Sequence, residues 1–316
     1  MVKMLSSLKK AMKKSEITYN AARKVKHSIN GILARLLGDK RFTEYRFRKA
    51  FGRKLDLTNP RTLNEKIQWL KLYDRRDIHT TLADKYAVRE WLAQRFGAEY
   101  LVPLLFTTQD WHDIKPENIP DIPCIIKSNN ASGTWHICRD KNSENWRHVR
   151  TLCHIWLSTN FYYTSQEWQY KNISPRIIVE KLLLTKEGRI PNDYKLHFFN
   201  GKLGFIYCSL DREGGNYRNI YGLDWKPLYF SWGAHDEERG PEIQPPESFG
   251  KMLEIGSQIA KLFRYVRVDF YDVDGKLYYG EITLHHGGGF NHFTPESYDS
   301  YYGDMLDLQA PVQEDI

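Results

Sequence analysis

Two short runs near the carboxyl end of the chain carry side chains that could hold a metal ion and a phosphoryl group. Arg267 and Asp269 alternate with apolar residues in the first run, and Glu281 and Thr283 do so in the second. Alternate residues of a strand share one face. Carboxylate and hydroxyl oxygens suit Mg²⁺, and an arginine can hold a transferring phosphoryl group. The same pattern is also typical of an exposed hairpin with an ordinary ion pair.

The loop between these runs decides whether the two carboxylates meet. A two-residue turn at Asp274 and Gly275 would place Asp269 and Glu281 on opposite faces, because a shift of one residue reverses the side-chain direction. A three-residue loop, Val273–Gly275, would place them on the same face. We therefore predict the longer loop. The pairs that it predicts are Arg267 with Glu281 and Asp269 with Tyr279.

A second candidate is Lys127, which ends a short apolar run and opens a loop of small polar residues, SNNASGT at 128–134. Small residues let backbone N–H groups approach phosphate oxygens, and a lysine adds a point charge. The spacing excludes a Walker motif. Taken alone, the loop is equally consistent with a plain turn.

Several longer motifs occur in a characteristic order along the chain. They are LNEKIQWLKLYDRR at 63–76, ADKYAVREW at 83–91, EWQYKNISPRIIVEK at 167–181, DYK at 193–195, RVDF at 267–270, GEIT at 280–283 and FTPESYD at 293–299. Together with the loop after Lys127, this order resembles the ATP-grasp superfamily. The motifs are most similar to those of the TupA-like ATP-grasp family, which is associated with bacterial cell-surface polymer biosynthesis. The resemblance extends over about residues 40–306.

The resemblance implies residues that hold ATP, residues that hold Mg²⁺ and an arginine beside the transferred phosphate. The implied ATP-binding residues are Lys85, Lys127, Ser128, Ser132, Gly133, Thr134, Glu180, Lys181 and Leu182, of which the last three match the hinge beside adenine. The implied metal ligands are Asp269 and Glu281, with Thr283 as a third candidate. Arg267 matches the family's arginine beside the transferred phosphate.

We place the acceptor side on a neighbouring strand and loop. Asp193, Lys195 and His197 alternate along one predicted strand and therefore share a face. A predicted polar loop follows, with Arg212, Arg218 and Asn219. Lys195 and Arg218 are our candidates for catalytic residues on this side.

The resemblance also implies a fold and a reaction. The expected fold is α+β, an ATP-grasp fold in which two subdomains clasp ATP, with a helical, basic N-terminal extension. The implied reaction is Mg·ATP-dependent ligation of an amine to a carboxylate through an acyl phosphate, joining an amino acid to a sugar-acid or glutamyl carboxylate of a surface polysaccharide. Two alternatives stand beside it: a kinase that phosphorylates a sugar or polymer hydroxyl, and a non-catalytic, membrane-associated scaffold.

Charge is distributed unevenly along the chain. Residues 1–54 hold 16 Lys and Arg against 3 Asp and Glu, a net +13, whereas the remaining 262 residues hold 30 against 36, a net −6. With the change from helical to strand patterns after Pro120, this predicts four parts. They are a basic arm (1–54), a helical region (55–110), a small subdomain (111–182) and a catalytic subdomain (183–316).

The basic arm contains an amphipathic helical pattern between Tyr19 and Leu37, with Gly38 as a plausible stop. Its apolar residues are Ala22, Val25, Ile29, Ile32, Leu33 and Leu36. The stripe either docks residues 1–40 on an anionic membrane or a partner, or packs on its own domain. Nucleic acid is not expected as a partner, because residues 1–41 lack interleaved aromatic residues.

The sequence also bears on the compartment. The four cysteines have neither metal-site nor disulfide-framework spacing, which favours a reducing compartment. No apolar run approaches the roughly 20 residues of a membrane span, and the N-terminal lysines precede no signal-like apolar stretch. We therefore expect a cytoplasmic protein, with peripheral attachment at the inner membrane as a further hypothesis.

Overall fold

The structure is a computed structural model that describes residues 16–233 and 238–313, so residues 1–15 of the predicted arm lie outside the described part. The chain divides into two units. Unit 1 contains the described residues up to Phe42, with Asp84–Tyr86 and Pro103–Leu182, and unit 2 contains Thr43–Ala83, Ala87–Val102 and the described residues from Leu183 onward.

Helices and antiparallel sheets occur in both units, which agrees with the expected α+β class. The α-helices are α1 (Glu16–Phe51), α2 (Leu63–Tyr73), α3 (Asp77–Ala83), α4 (Val88–Phe96), α5 (Trp146–Leu157), α6 (Tyr162–Ser165), α7 (Phe249–Ala260) and α8 (Ser297–Asp304). Short 3₁₀ turns lie at Ala98–Tyr100, Trp111–Asp113, Pro116–Asn118, Trp168–Tyr170 and His286–Gly289. In the described part of the chain, no helix combines the length and the apolar character needed to cross a bilayer.

Two local signals delimit the helices α1 and α2. Gly38 interrupts α1 with a φ of 75° and a ψ of 157°, so the first segment of the helix stops there as predicted, and a second segment continues to Phe51. At the start of α2, the Thr62 hydroxyl accepts the Glu65 N–H, and the Glu65 carboxylate accepts the Thr62 N–H. This capping box satisfies backbone donors and typically contributes about 1 kcal/mol.

Unit 1 is built on a four-stranded antiparallel sheet in the order β1-β4-β2-β3. The strands are β1 (Leu104–Thr108), β2 (Cys124–Ser128), β3 (Trp135–Cys138) and β4 (Ile177–Lys181). Helix α5 contributes Val149, Leu152 and Trp156 to a core that includes Ile126 and Val179. This core anchors the strands that carry Lys127 and Glu180.

Unit 2 is built on a six-stranded antiparallel sheet in the order β11-β10-β5-β6-β7-β8. The strands are β5 (Asp193–Phe199), β6 (Lys202–Leu210), β7 (Tyr217–Tyr221), β8 (Pro227–Leu228), β10 (Tyr265–Val273) and β11 (Lys276–Thr283), and a separate pair joins β9 (Ser231–Gly233) to β12 (His292–Thr294). Val266, Val268 and Phe270 lie in one core with Ile255 and Ile259 of α7. The alternate residues of β10 therefore project from the opposite face of the sheet.

Candidate functional site

The hairpin between β10 and β11 turns over two residues, so the predicted three-residue loop at Val273–Gly275 is wrong. Val273 pairs with Lys276, and Asp274 and Gly275 between them have φ angles of 53° and 85°. Two consecutive positive φ angles are what a type I′ hairpin turn requires. Its twist matches that of the flanking strands.

The predicted pairing across the hairpin is also wrong, although the predicted shared face is present. Arg267 pairs with Thr283, and Asp269 pairs with Glu281, whereas Tyr279 pairs beyond the register shift that follows Asp269. Residues directly opposite each other project from the same face. The two carboxylates are therefore cross-strand neighbours.

A β-bulge at Gly280 reconciles the short turn with the shared face. The register shifts by one residue between Asp269 and Phe270, which leaves Gly280 as the extra residue of β11. A Cβ at Gly280 would lie 3.0 Å from the Asp269 carbonyl oxygen and 3.2 Å from a ring carbon of Tyr271. Glycine thus permits the close backbone approach that the bulge needs.

We expect the substitution Gly280→Ala to disturb the carboxylate pair, because the backbone atom that the new Cβ meets cannot move independently. The expected destabilisation is about 1–3 kcal/mol by urea unfolding, with a roughly tenfold or greater loss of any turnover that depends on the carboxylate pair. Gly250→Ala is the matched control, since a Cβ at Gly250 meets nothing within 4 Å. Equal stability and turnover for both variants would show that the bulge does not position the pair.

The neighbouring strand β5 extends this polar face. Lys195 pairs with Asp269, His197 pairs with Arg267, and Asp193 pairs with Tyr271. The polar residues that share this face of the sheet are Asp193, Lys195, Arg267, Asp269, Glu281 and Thr283. The structure thus brings together the predicted metal ligands, the predicted arginine and one predicted acceptor-side lysine.

Arg267 is held in a fixed position on this face. Its Nε and Nη2 each donate to a different oxygen of Asp269 at 2.6 Å, and its Nη1 donates to Nδ1 of His286 at 2.9 Å. Nη2 also lies 3.8 Å from Glu281. Burial disfavours the charge, but Asp269 and Glu281 outweigh burial and raise the pKa of Arg267 above its usual range. The guanidinium therefore stays cationic.

Two carboxylates of this face, Asp193 and Asp269, are buried and lack part of the solvation that an ionised carboxylate has in water. Burial raises the pKa of Asp269 to about 6, since the loss of solvation outweighs the attraction of Arg267 and Lys195. Lys195 Nζ lies 3.9 Å from Asp269 and forms an ion pair with Asp193. For Asp193, burial opposes ionisation, but Lys195 and Arg212 outweigh it and lower the pKa.

The oxygen atoms at this position fit a hard divalent cation. Asp269 and Glu281 are direct cross-strand partners, and a cation between them would replace the solvation that the buried Asp269 carboxylate lacks. Within residues 16–233 and 238–313, no group of three or more His, Cys, Asp or Glu side chains converges as a metal site. Mg²⁺ commonly uses one or two carboxylates with substrate phosphates, so this pair suits Mg²⁺ better than a structural metal.

The acceptor-side residues are placed differently from the prediction. Arg218 and Asn219 lie within β7 and not in a loop. Arg218 pairs with Ser209, which in turn pairs with Asp193, so Arg218 belongs to the polar side of the sheet. Asn219 is buried and donates to the carbonyl of Pro241 at 2.8 Å, which makes it a structural anchor.

His197 is likewise part of the packed interior. Its Nδ1 is hydrogen-bonded to the Tyr265 hydroxyl at 3.0 Å, and its ring stacks on Phe205 at 4.2 Å. Burial lowers its pKa well below the usual range. The predicted strand face is correct, but this histidine supports the aromatic core beside the polar residues.

In unit 1, Lys127 and Glu180 form an ion pair. They lie on adjacent strands, and Lys127 Nζ donates to a Glu180 oxygen at 2.8 Å. Lys181 is exposed on the same strand, and the Leu182 N–H donates to the carbonyl of Pro123 at 3.0 Å. The Leu182 N–H is therefore used within the unit, and an adenine contact would fall to its carbonyl oxygen.

Hydrogen bonds hold the loop after Lys127, both within the loop and from a second lysine. Ser128 and Thr134 are joined by a hydroxyl–hydroxyl hydrogen bond of 2.7 Å, and Gly133 has a φ of 68°. Lys85 Nζ donates to the carbonyl of Ala131 at 2.7 Å. The predicted phosphate-binding residues of unit 1, including Ser132, therefore converge on one loop.

A protein-family comparison decides what these arrangements belong to. The family model described as TupA-like ATPgrasp matches residues 65–307. The chain belongs to the TupA-like ATP-grasp family. The match contains every candidate site residue from Lys85 to Thr283. The predicted family, the ATP-grasp fold and the expectation of an ATP-grasp enzyme are confirmed.

Solved ATP-grasp ligases resemble this TupA-like ATP-grasp chain at low identity. D-alanine–D-alanine ligase from Bacillus anthracis has 16% identity and a TM-score of 0.39, over 76% of this chain and 67% of its own. PsnB, complexed with precursor peptide PsnA2 and AMPPNP, has 14% identity and a TM-score of 0.37, over 71% and 57%. A Chryseobacterium gregarium RiPP-associated ligase has 11% identity and a TM-score of 0.40, over 80% and 69%.

The chain spans only 57% of PsnB and about two thirds of the other two proteins. A comparison with curated protein sequences gave no match.

Sequence reasoning missed Arg23 as a neighbour of the loop that follows Lys127, for which phosphate binding is predicted. Its Nη2 and Nη1 donate to the carbonyls of Ser132 and Gly133, each at 3.2 Å. Burial lowers the pKa of Arg23 from its usual range. More than 100 residues separate the partners, so no local signal could have predicted the contact.

His286 is the other missed neighbour. Its ring contacts Arg267, and Nε2 lies 3.2 Å from the carbonyl of Trp232. Burial lowers its pKa to about 3, so the ring is neutral and Nδ1 accepts the hydrogen bond from the Arg267 guanidinium. A histidine lies three residues after β11, and no sequence pattern distinguishes a buried histidine that contacts an arginine from a histidine exposed to solvent.

We expect the protein to lose stability in mild acid, because a buried histidine is neutral in the folded state. Burial lowers the pKa of His79 to about 4, from about 6.5 when unfolded, so the unfolded state binds more protons between these values. The stability contributed by neutral His79 is fully present above pH 6.5 and is lost as the pH decreases towards 4. We expect His79 alone to lower the free energy of unfolding by about 2 kcal/mol between pH 7 and pH 5.

Urea unfolding at the two pH values measures this change. His79→Gln should reduce the difference, and His112→Gln at an exposed position is the matched control. An unaltered pH dependence in His79→Gln would contradict the prediction.

Proposed function

We propose that the protein is an ATP-dependent ligase that joins an amine to a carboxylate through an acyl phosphate. The observation that carries the proposal is the cross-strand pair of Asp269 and Glu281 with Arg267 fixed between them. Two carboxylates that can hold a cation beside a permanently charged guanidinium suit phosphoryl transfer from a nucleotide. No nucleophilic side chain is needed for this chemistry.

The reaction would have two steps. A carboxylate oxygen of the acceptor attacks the γ-phosphorus of ATP, the bond to the β-phosphate oxygen breaks, and ADP leaves. The amine nitrogen then attacks the acyl carbon, inorganic phosphate leaves, and the nitrogen loses a proton to give the amide. Arg267 would offset the charge of the approaching carboxylate and of the transferring group.

Asp269 and Glu281 would hold Mg²⁺, with the Thr283 hydroxyl as a further oxygen. When bound, Mg²⁺ supplies charge neutralisation at the nucleotide phosphates. Because Arg267 already binds both oxygens of Asp269, the arginine and the carboxylates together form one preorganised group. The carboxylates need to be ionised for this role.

Residues of the predicted small subdomain (111–182) would bind the nucleotide. Lys127 and the loop residues Ser128, Ser132, Gly133 and Thr134 would contact the phosphates, with Lys85 beside the loop. Glu180, Lys181 and the carbonyl of Leu182 would contact the adenine. The convergence of Lys85 on the loop supports this assignment.

Residues of the predicted catalytic subdomain (183–316) would bind the acceptor. Lys195 and Arg218 are our candidates, since both lie on the polar side of the unit 2 sheet. The substrates would be an amino acid and a sugar-acid or glutamyl carboxylate used in bacterial surface polysaccharide biosynthesis. The enzyme would then act in the cytoplasm, beside the inner membrane where such polymers are assembled.

A product assay tests the proposal. Purified protein with ATP and Mg²⁺ is supplied with uronic acids and glutamyl compounds, together with an amino-acid panel, and ADP release and product mass are measured. Hydroxylamine should trap the acyl phosphate as a hydroxamate. Absence of both acceptor-dependent ADP and hydroxamate would overturn the ligase. A hydroxylamine-stable phosphoester would instead identify a kinase.

A further inference from the structure

The first segment of α1 turns its apolar side to solvent. Val25, Ile29, Ile32 and Leu36 follow one another at helical spacing and form what we call the outer stripe. These side chains are 53–77% exposed. An amphipathic helix of a soluble unit normally buries its apolar stripe against the core. The interpretation that the stripe packs on its own domain is therefore wrong for these four residues of the predicted six, whereas Ala22 and Leu33 are half-buried.

The opposite face of the same segment is fixed to unit 1. His27 and Ala34 are buried, and Asn30 donates to the carbonyl of Tyr163 at 3.1 Å. A Cβ on Gly31 would lie 3.3 Å from the Tyr163 ring, so the helix and the ring are in close contact. Arg23 adds its two hydrogen bonds to the carbonyls of Ser132 and Gly133. Specific contacts thus orient the outer stripe outward.

Cations flank the outer stripe. At 100° per residue, Lys26 lies on one side of it and Lys24 and Arg35 lie on the other. Lys26 and Arg35 are exposed, whereas Lys24 is half-buried and donates to the Ser158 hydroxyl at 2.7 Å. Residues 1–54 carry a net charge of +13, against −6 for the rest of the chain. An apolar stripe with basic borders is the pattern of a helix that lies in the interface of an anionic bilayer.

We propose that the outer stripe docks α1 flat on an anionic lipid surface. The aliphatic side chains would enter the boundary between headgroups and acyl chains, while the flanking cations contact lipid phosphates. A second copy of the chain fits less well. Pairing two outer stripes would bring the same cations of both copies together, and juxtaposed like charges oppose association. The proposal does not depend on the ligase activity.

Vesicle binding by the full-length protein tests the proposal. Vesicles of phosphatidylcholine alone are compared with vesicles that also contain phosphatidylglycerol, and the bound fraction is measured by co-sedimentation. We expect binding to the anionic vesicles to be roughly tenfold or more stronger, and to weaken with added salt. Absence of binding to both vesicles would overturn the proposal.

Matched substitutions locate the binding surface. The double variant Ile29→Ser and Ile32→Ser should lose roughly tenfold or more of the anionic-vesicle affinity. Ile122→Ser removes an aliphatic side chain that is 43% exposed elsewhere in unit 1, and should bind as the unaltered protein does. Equal binding by the double variant would overturn the proposal. So would a dimer in sedimentation that the double variant converts to a monomer.

Discussion

Replacement of Glu281 by glutamine is expected to reduce ATP-dependent turnover by at least about 100-fold. The substitution keeps the size of the side chain opposite Asp269 and removes one of the two negative charges proposed to hold Mg²⁺. Stability should change little, because Glu281 is partly exposed and 3.8 Å from Arg267, a separation at which such a pair contributes less than about 1 kcal/mol. Steady-state ADP release, measured over a range of Mg²⁺ concentrations, gives the effect.

A carboxylate of the same hairpin provides the control. Asp274→Asn alters the turn residue that accepts the Lys186 N–H, and asparagine tolerates its positive φ of 53°. This variant should retain turnover. If Glu281→Gln turned over ATP at an unaltered rate at every Mg²⁺ concentration, the metal assignment of the carboxylate pair would be wrong.

The hairpin illustrates how far sequence reasoning extends. Strand alternation correctly predicted that Arg267, Asp269, Glu281 and Thr283 share a face. A bulge leaves no periodic pattern in the sequence, so the shared face was attributed to a three-residue loop. In the structure, Gly280 supplies the extra residue, and the Asp274–Gly275 turn keeps its usual form. A glycine inside a strand pattern is a weak indication of a bulge. Gly280 was the residue of β11 that carried this indication.

The first segment of α1 shows a different limit. The 3.6-residue period identified the helix and its stop at Gly38, which are local properties. The period does not indicate whether a partner covers the apolar side. That depends on distant contacts, such as those of Asn30 and Arg23 with residues more than 100 positions away. The contact of His286 with Arg267, over 19 residues, is likewise set by the tertiary fold and not by a local period.

Replacement of Lys127 by methionine is expected to weaken binding of Mg·ATP by roughly tenfold or more, about 1.4 kcal/mol or more. The lysine is proposed to contact the nucleotide phosphates, and methionine retains the apolar stem without the charge. The variant should also lose about 1–3 kcal/mol of stability, because Glu180 is buried and would lose its ion-pair partner. Calorimetric titration with ATP and urea unfolding measure the two effects.

A double substitution separates binding from folding. Adding Glu180→Gln to Lys127→Met removes the buried negative charge that Lys127 neutralises, so the double variant should regain most of the lost stability. It should not regain affinity for ATP, because the phosphate contact is still missing and Glu180 is itself proposed to contact the adenine. Lys115→Met, at an exposed lysine of unit 1, is the matched control and should change neither quantity. Full recovery of ATP affinity in the double variant would mean that Lys127 serves only as the partner of Glu180.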